Sequence, residues 1–187
     1  MKYTVFDVET PNMANDSISS IGVCVVQNGT ITKTFASLVN PETHFDIFNS
    51  QLTGITPQMV QGKPNFADLW PTLKPMFDGA ILVAHNAPFD MGVLAKVLAH
   101  YNIAWKPSVQ CACTVRMGRK CFPHFPNHRL DTMCRQLDIQ LDHHRADSDS
   151  TATANLLVTY LQQGIKVEDF AKQYKLPMPI STQTSLF

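Results

Sequence analysis

The sequence predicts an α/β domain: a mixed sheet, in which an N-terminal antiparallel meander joins parallel strands, flanked by helices. Three observations predict it. Residues 3–8, 18–26 and 30–39 are β-rich, and Asn28-Gly29 between the last two is a two-residue hairpin signal. A short apolar strand over 81–84 runs directly into a segment of helical periodicity. A meander followed by strand–helix alternation is the pattern of a sheet covered by helices.

The elements follow in order. Residues 3–8 alternate as a strand, 18–26 (ISSIGVCVV) form a second, and 30–39 a third that Pro41 ends. Thr56 as N-cap and Pro57 at the first helical position predict a short helix over 56–62. Phe66, Leu69, Trp70, Leu73 and Phe77 recur at helical spacing, and Pro71 and Pro75 among them predict a kink or a break. The strand over 81–84 ends at His85-Asn86. Pro88 then opens a helix with Asp90, Val93, Leu94, Val97 and Leu98 along one face. Asp90 thus falls in a first helical turn just beyond a strand end, where α/β folds place catalytic groups and where the helix dipole stabilises a carboxylate. After a loop, 113–120 and 129–137 have helical character. Residues 148–163 form the last long helix, with Ala152, Leu156, Leu157, Tyr160 and Leu161 inward and Asp149 in its first turn. From Leu176 the composition turns to prolines and small polar residues, which predicts a domain over 1–175 and an extended tail over 176–187.

At 187 residues the chain holds one full core. It carries 15 basic and 15 acidic side chains, a balance that argues against a duplex binder relying on counterion release. No apolar run reaches the length of a membrane span, and the N-terminus lacks a basic-then-apolar signal, so a cytoplasmic protein is expected. Five cysteines, an odd number, read as free thiols. Cys111, Cys113, Cys121, His124 and His128 lie close in sequence, but C-x-C is not the usual spacing of a zinc site, and semi-buried thiols with loop histidines are the expectation.

The chemistry is carried by acids. Asp7 and Glu9 stand in YTVFDVET, a run that otherwise reads as core strand. Residues two apart on a strand share a face, so the two carboxylates repel unless a cation lies between them. Mg²⁺ and Mn²⁺ take oxygen ligands of this kind. Five residues before Asp149 stands His144, close enough to take a proton from water near a metal-bound carboxylate. Converging carboxylates, a proton acceptor and a groove for a chain end are the requirements of two-metal phosphodiester hydrolysis.

FDVET (6–10), HNAPFD (85–90) and the H-x4-D spacing of His144 and Asp149 resemble, in this order, the three motifs of the DEDDh family of 3′–5′ exonucleases. LTGIT (52–56) and NHRLDTMCRQLDI (127–139) are similar to further family segments, so the resemblance runs through residues 2–163. It implies a ribonuclease H-like fold. It implies Asp7, Glu9, Asp90 and Asp149 as ligands of two Mg²⁺ or Mn²⁺ ions, and His144 as general base. Thr10 would meet the 3′-terminal nucleotide, and Phe89 and the 52–55 segment, with Thr53 and Gly54, would flank the terminal bases. Thr53 stands where many members carry His. His143 and Asp147 nearly duplicate the critical pair, but only His144 and Asp149 have the required offset. The activity implied is release of nucleoside 5′-monophosphates from single-stranded DNA 3′ ends, as in the proofreading subunits of bacterial replicative polymerases, with RNA ends as the alternative substrate.

Gln183-Thr184-Ser185-Leu186-Phe187 resembles the short sliding-clamp-binding motif of bacterial replication proteins. A Gln anchor and a Leu-Phe pair on an extended leader suit a groove-binding peptide. The expected partners are therefore a single-stranded 3′ end, a sliding clamp through Gln183, Leu186 and Phe187, and a polymerase catalytic subunit. A non-catalytic clamp-tethering module is the competing class; the presence of all four carboxylates and the histidine weighs against it.

Overall fold

A computed structural model describes residues 1–177. Strands β1 (Lys2–Glu9), β2 (Ser20–Gln27) and β3 (Thr30–Leu38) form the expected antiparallel meander. Asn28 and Gly29 both take positive φ, 53° and 75°, as a two-residue type I′ turn requires. Next come helices α1 (Ile47–Thr53), α2 (Pro57–Val60) and α3 (Phe66–Phe77), strand β4 (Ile81–Ala84) and helix α4 (Ala87–His100). Strand β5 (Ser108–Cys113), helices α5 (Thr114–Cys121), α6 (Leu130–Gln136) and α7 (Ala146–Gln162), a 3₁₀ turn over Val167–Phe170 and strand β6 (Lys172–Lys175) complete the described chain. The sheet order is β3-β2-β1-β4-β5-β6. β4 runs parallel to β1 and β5 parallel to β4, while β6 returns antiparallel along β5.

β1 divides the core. Its even residues Phe6 and Val8 pack with Phe66, Leu73 and Phe77 of α3 and Met91 and Leu94 of α4. Its odd residues Tyr3 and Val5 pack with Met117, Met133, Leu156 and Tyr160 from α5, α6 and α7. Burial of two such layers is the main favourable term in holding the sheet between its helices.

The structure departs from the sequence reading in four places. α3 is one continuous helix through Pro71 and Pro75, with no break. Both prolines are exposed and lie one turn apart, on the side where water can serve the carbonyls they leave unpaired. The helix is held by its buried face, Phe66, Trp70, Leu73, Met76 and Phe77, and by a complete capping box between Asn65 and Asp68. α1 is a helix the sequence did not suggest, because Ile47 (78% exposed) and Phe48 (61%) are apolar yet face outward and spoil the periodicity. β5 forms where a loop was expected, and β6 is a further edge strand; both are short, and neither carries the continuous apolar run of a core strand.

Leu176 is buried, and its N–H donates to the Pro107 carbonyl at 2.9 Å. The rest of the expected tail lies outside the described residues except Pro177. Among the described residues no helix is long and apolar enough to cross a membrane.

Candidate active site

Asp7 and Glu9 continue the row that Tyr3 and Val5 begin, so both point to the α7 side of the sheet. Directly across from Asp7 on β2 is Gly22. A Cβ there would overlap the Ala146 carbonyl and the Ser150 hydroxyl, so only glycine lets the first turn of α7 lie against the sheet. That approach delivers Asp149. Carboxylate oxygens of Asp7, Glu9 and Asp149 come within 4.8 Å of one another. Asp90 arrives from the first turn of α4, is buried, and accepts a hydrogen bond from the Val8 N–H at 3.3 Å. Four carboxylates from three elements thus meet at the C-terminal end of β1.

Their electrostatics are those of charges held together against repulsion. Burial, and then the charges of Asp90, Glu9 and Asp149, push Asp7 well above the ordinary carboxylate range. Burial first, with Glu9 and Asp149 adding to it, also pushes Asp90 well up, although hydrogen bonds from backbone N–H groups work the other way. Glu9 is raised to about 7 by burial and by Asp149. Asp149 is raised by burial even though His143 beside it favours its charged form. No Lys or Arg side chain is ion-paired with any of the four among the described residues.

Two histidines stand at the rim. His143 Nδ1 lies 3.1 Å from Asp149 Oδ2 and 3.4 Å from Oδ1. The His144 backbone N–H donates to the same Oδ2 at 3.2 Å, which the left-handed φ of His144, 65°, makes possible. The two imidazoles stack with centroids 4.0 Å apart. With Asp149 they form the second set of metal-capable atoms within 4.8 Å. The His144 ring makes no hydrogen bond among the described residues, and burial, then the neighbouring His143, lowers its pKa, so it is neutral and free to accept a proton at neutral pH.

These groups line a groove of about 670 Å³. One wall is apolar and open to solvent, with Met13, Phe48, Leu52 and Phe89. A second, polar wall carries Arg119 from α5 and Asn127, His128 and Arg129 from the α5–α6 connection. Bases suit the first wall and phosphates the second. Thr10 lines the groove one residue beyond Glu9. Thr53 lines it too, but its hydroxyl donates to the Asn49 carbonyl at 2.9 Å and accepts from the Ile55 N–H at 3.2 Å. Gly54, in left-handed conformation at the end of α1, borders the adjoining cavity, which shares Thr53 and His144 with the groove.

Sequence reasoning passed over Gly22 and the Arg119/Arg129 wall. A glycine inside a strand pattern is a signal of close approach and could have flagged Gly22; nothing in the sequence brings the two arginines together. The five cysteines are free, and the set Cys111, Cys113, Cys121, His124 and His128 does not converge as a metal site among the described residues. Gln183, Leu186 and Phe187 lie outside the described residues.

A family model described as exonuclease, of the RNase T type, matches residues 4–157. The chain is 38% identical over 177 residues to the PolC-type DNA polymerase III of Bacillus subtilis (strain 168), across 89% of this chain and 12% of that protein. It is 34% identical over 166 residues to the 3′-5′ exonuclease DinG of the same organism, across 87% of this chain and 18% of that protein. The chain therefore spans less than a fifth of the length of either relative. Among solved structures, exonuclease X in complex with 5′ overhanging duplex DNA superposes with a TM-score of 0.73 at 24% identity, over 90% of this chain and 96% of that one. The nuclease domain of 3′hExo, a DEDDh family member bound to rAMP, gives 0.74 at 20%, over 94% and 97%. At these identities the likeness establishes the fold.

Proposed function

The chain belongs to the RNase T exonuclease family, as a DEDDh-type 3′–5′ phosphodiester hydrolase, and on that premise we propose that it removes nucleoside 5′-monophosphates from single-stranded DNA 3′ ends in proofreading or repair. The observation that carries the reading is the meeting of Asp7, Glu9 and Asp149 within 4.8 Å, with Asp90 beside Asp7, at the floor of an open groove. DNA as the substrate is supported by the names of the polymerase relatives.

The family implies a divalent metal, and these residues fit one. All donors are carboxylate oxygens, and the mutual repulsion that raises Asp7, Glu9 and Asp90 is what a hard cation relieves. Two Mg²⁺ or Mn²⁺ ions, when bound, would supply charge stabilisation at the phosphodiester and a more acidic attacking water. Asp7, Glu9, Asp90 and Asp149 would hold them. His144 takes the proton of the attacking water through its unengaged ring. The Arg119/Arg129 wall holds the phosphates upstream of the scissile bond, and Phe89 and the α1 wall, with Thr53 and Gly54, hold the last bases while Thr10 faces the terminal nucleotide.

The test uses 5′-labelled single-stranded DNA and RNA with Mg²⁺, Mn²⁺ or EDTA. Stepwise shortening from the 3′ end is expected with either metal and none with EDTA, DNA being cut faster than RNA. A blocked 3′ terminus should resist. Efficient cutting of circular single strands would show an endonuclease, and faster cutting of RNA would favour the RNA-end reading. A non-catalytic tether would release no mononucleotide at all.

QTSLF (183–187) supports a sliding clamp as partner, and a proofreading role supports a polymerase catalytic subunit. Deleting 183–187 should abolish binding to a bacterial sliding clamp in a pull-down while turnover on short oligonucleotides is unchanged. Retained clamp binding would overturn the assignment.

A further inference from the structure

α5 turns Thr114, Met117 and Gly118 inward, and all three are buried. A Cβ on Gly118 would come within 2.8 Å of the Tyr160 hydroxyl, so this side of the helix is pressed onto α7 and the opposite side faces water. Val115 and Arg119, one turn apart, both line the groove. Arg116 stands about 60° round the helix from Arg119, on the outward ridge, and Lys120 lies about 40° beyond it. Arg116, Arg119 and Lys120 are all exposed. A cationic ridge outside the groove is therefore continuous with its polar wall.

Folding accounts for Lys120 but not for Arg116. Arg119 and Lys120 stand in the last turn, where the helix dipole favours cations, and Lys120 Nζ sits 5.5 Å from the centroid of the Phe170 ring. Arg129 and Arg135 share Asp131, at 3.5 and 3.8 Å. Arg116 is the third residue of α5, where the dipole disfavours a cation. Its guanidinium makes no ion pair or hydrogen bond among the described residues, and neither does that of Arg119. The whole chain is neutral, yet residues 116–135 hold five basic side chains and one acidic one. Neighbouring unpaired guanidiniums on a packed helix suit phosphate, and the group that a strand longer than the groove brings past Arg119 is a further phosphate. Resting on the function proposed above, we propose that the strand upstream of the scissile bond leaves the groove over α5, and that Arg116 holds one of its phosphates there. The contact reads neither base nor sugar. It makes affinity grow with strand length beyond the groove.

The experiment crosses this arginine with strand length. Wild type, Arg116→Ala and Arg116→Lys are assayed on a 5′-labelled trinucleotide, which ends within the groove, and on a dodecanucleotide, which extends past it. Wild type should favour the dodecanucleotide in kcat/KM. Arg116→Ala should shrink that preference about fivefold, through KM, and Arg116→Lys should keep most of it because the contact is with charge. The slope of log KM against log salt on the dodecanucleotide should fall by about 0.7 in Arg116→Ala, the share of one phosphate contact on a single strand. Lys33→Ala removes an exposed charge from β3, at the other edge of the sheet from α5, and should move neither ratio nor slope. A merely structural role for Arg116 would depress both lengths alike and leave the ratio where it was. An unmoved ratio, an equal effect of Lys33→Ala, or a loss confined to one base sequence would overturn the assignment. The same ratio is read as binding, by anisotropy of the labelled oligonucleotides in EDTA. A wild type that cuts neither length defeats the proposed function, whereas an unmoved binding ratio defeats the Arg116 contact alone.

Discussion

Asp7→Ala or Asp149→Ala will lower exonuclease turnover by on the order of 10³-fold or more, the rate equivalent of the several kcal/mol a bound metal contributes, without unfolding the chain. The fold survives because these carboxylates oppose it. Glu9, with an ordinary pKa of 4.5, is held at about 7 by burial and by Asp149. Keeping it ionised therefore costs the folded state on the order of 3 kcal/mol. The sign follows from proton uptake. Between pH 4.5 and 7 the folded protein holds a proton on Glu9 that the unfolded chain has released, so metal-free stability falls as pH rises through this window and the loss is complete above it. Asp7 and Asp90, also raised, add to the fall in the same direction. The melting temperature without metal should drop from pH 5 to pH 7.5, and Asp7→Ala should flatten the drop. Mg²⁺ or Mn²⁺ should restore stability more at pH 8 than at pH 5, because the cation competes with protons for the same oxygens. Full activity in EDTA, or a melting temperature that climbs through the window and ignores metal, would defeat the metal-site reading.

What the sequence showed of this site depended on how local each signal was. The D-x-E pair declared its shared face through strand periodicity alone, and β1 does point Asp7 and Glu9 the same way. Asn28-Gly29 declared the hairpin because few dipeptides tolerate two positive φ angles. Asp90 and Asp149 were legible as residues of first helical turns. Features created only by three-dimensional approach were not legible. Gly22 matters because α7 crosses above it, and Asn49 donates to the Thr10 carbonyl because α1 folds back beneath it. α1 itself hides its helical character behind exposed Ile47 and Phe48, which line up with no core. The prolines of α3 misled because proline's cost depends on whether the carbonyl it abandons meets water or protein, and that is a tertiary fact.

The paired histidines give the other large effect. His144→Ala should lower the rate by roughly 10²–10⁴-fold, the range for loss of a general base, while metal binding is retained. His143→Ala should cost far less, and chiefly in metal affinity. The two side chains are placed differently. The His143 ring is spent on Asp149, 3.1 Å from Oδ2, where it orients a carboxylate. His144 reaches Asp149 only through its backbone N–H, and its ring stays unengaged, stacked on His143 and facing the groove. Substituting His144 by alanine leaves that backbone contact in place, so the loss should fall on proton transfer and not on the carboxylate's position. The pH profile separates the roles. Burial and His143 lower the His144 pKa, so at metal concentrations that saturate the site across the pH range the wild-type rate should rise through an acid limb that belongs to His144 and be flat above it. His144→Ala should lose the limb along with the rate, whereas His143→Ala should keep it. If His143→Ala proves the more damaging of the two and His144→Ala keeps the acid limb, the base is His143, and the ring that contacts Asp149 without metal must leave it to do the chemistry.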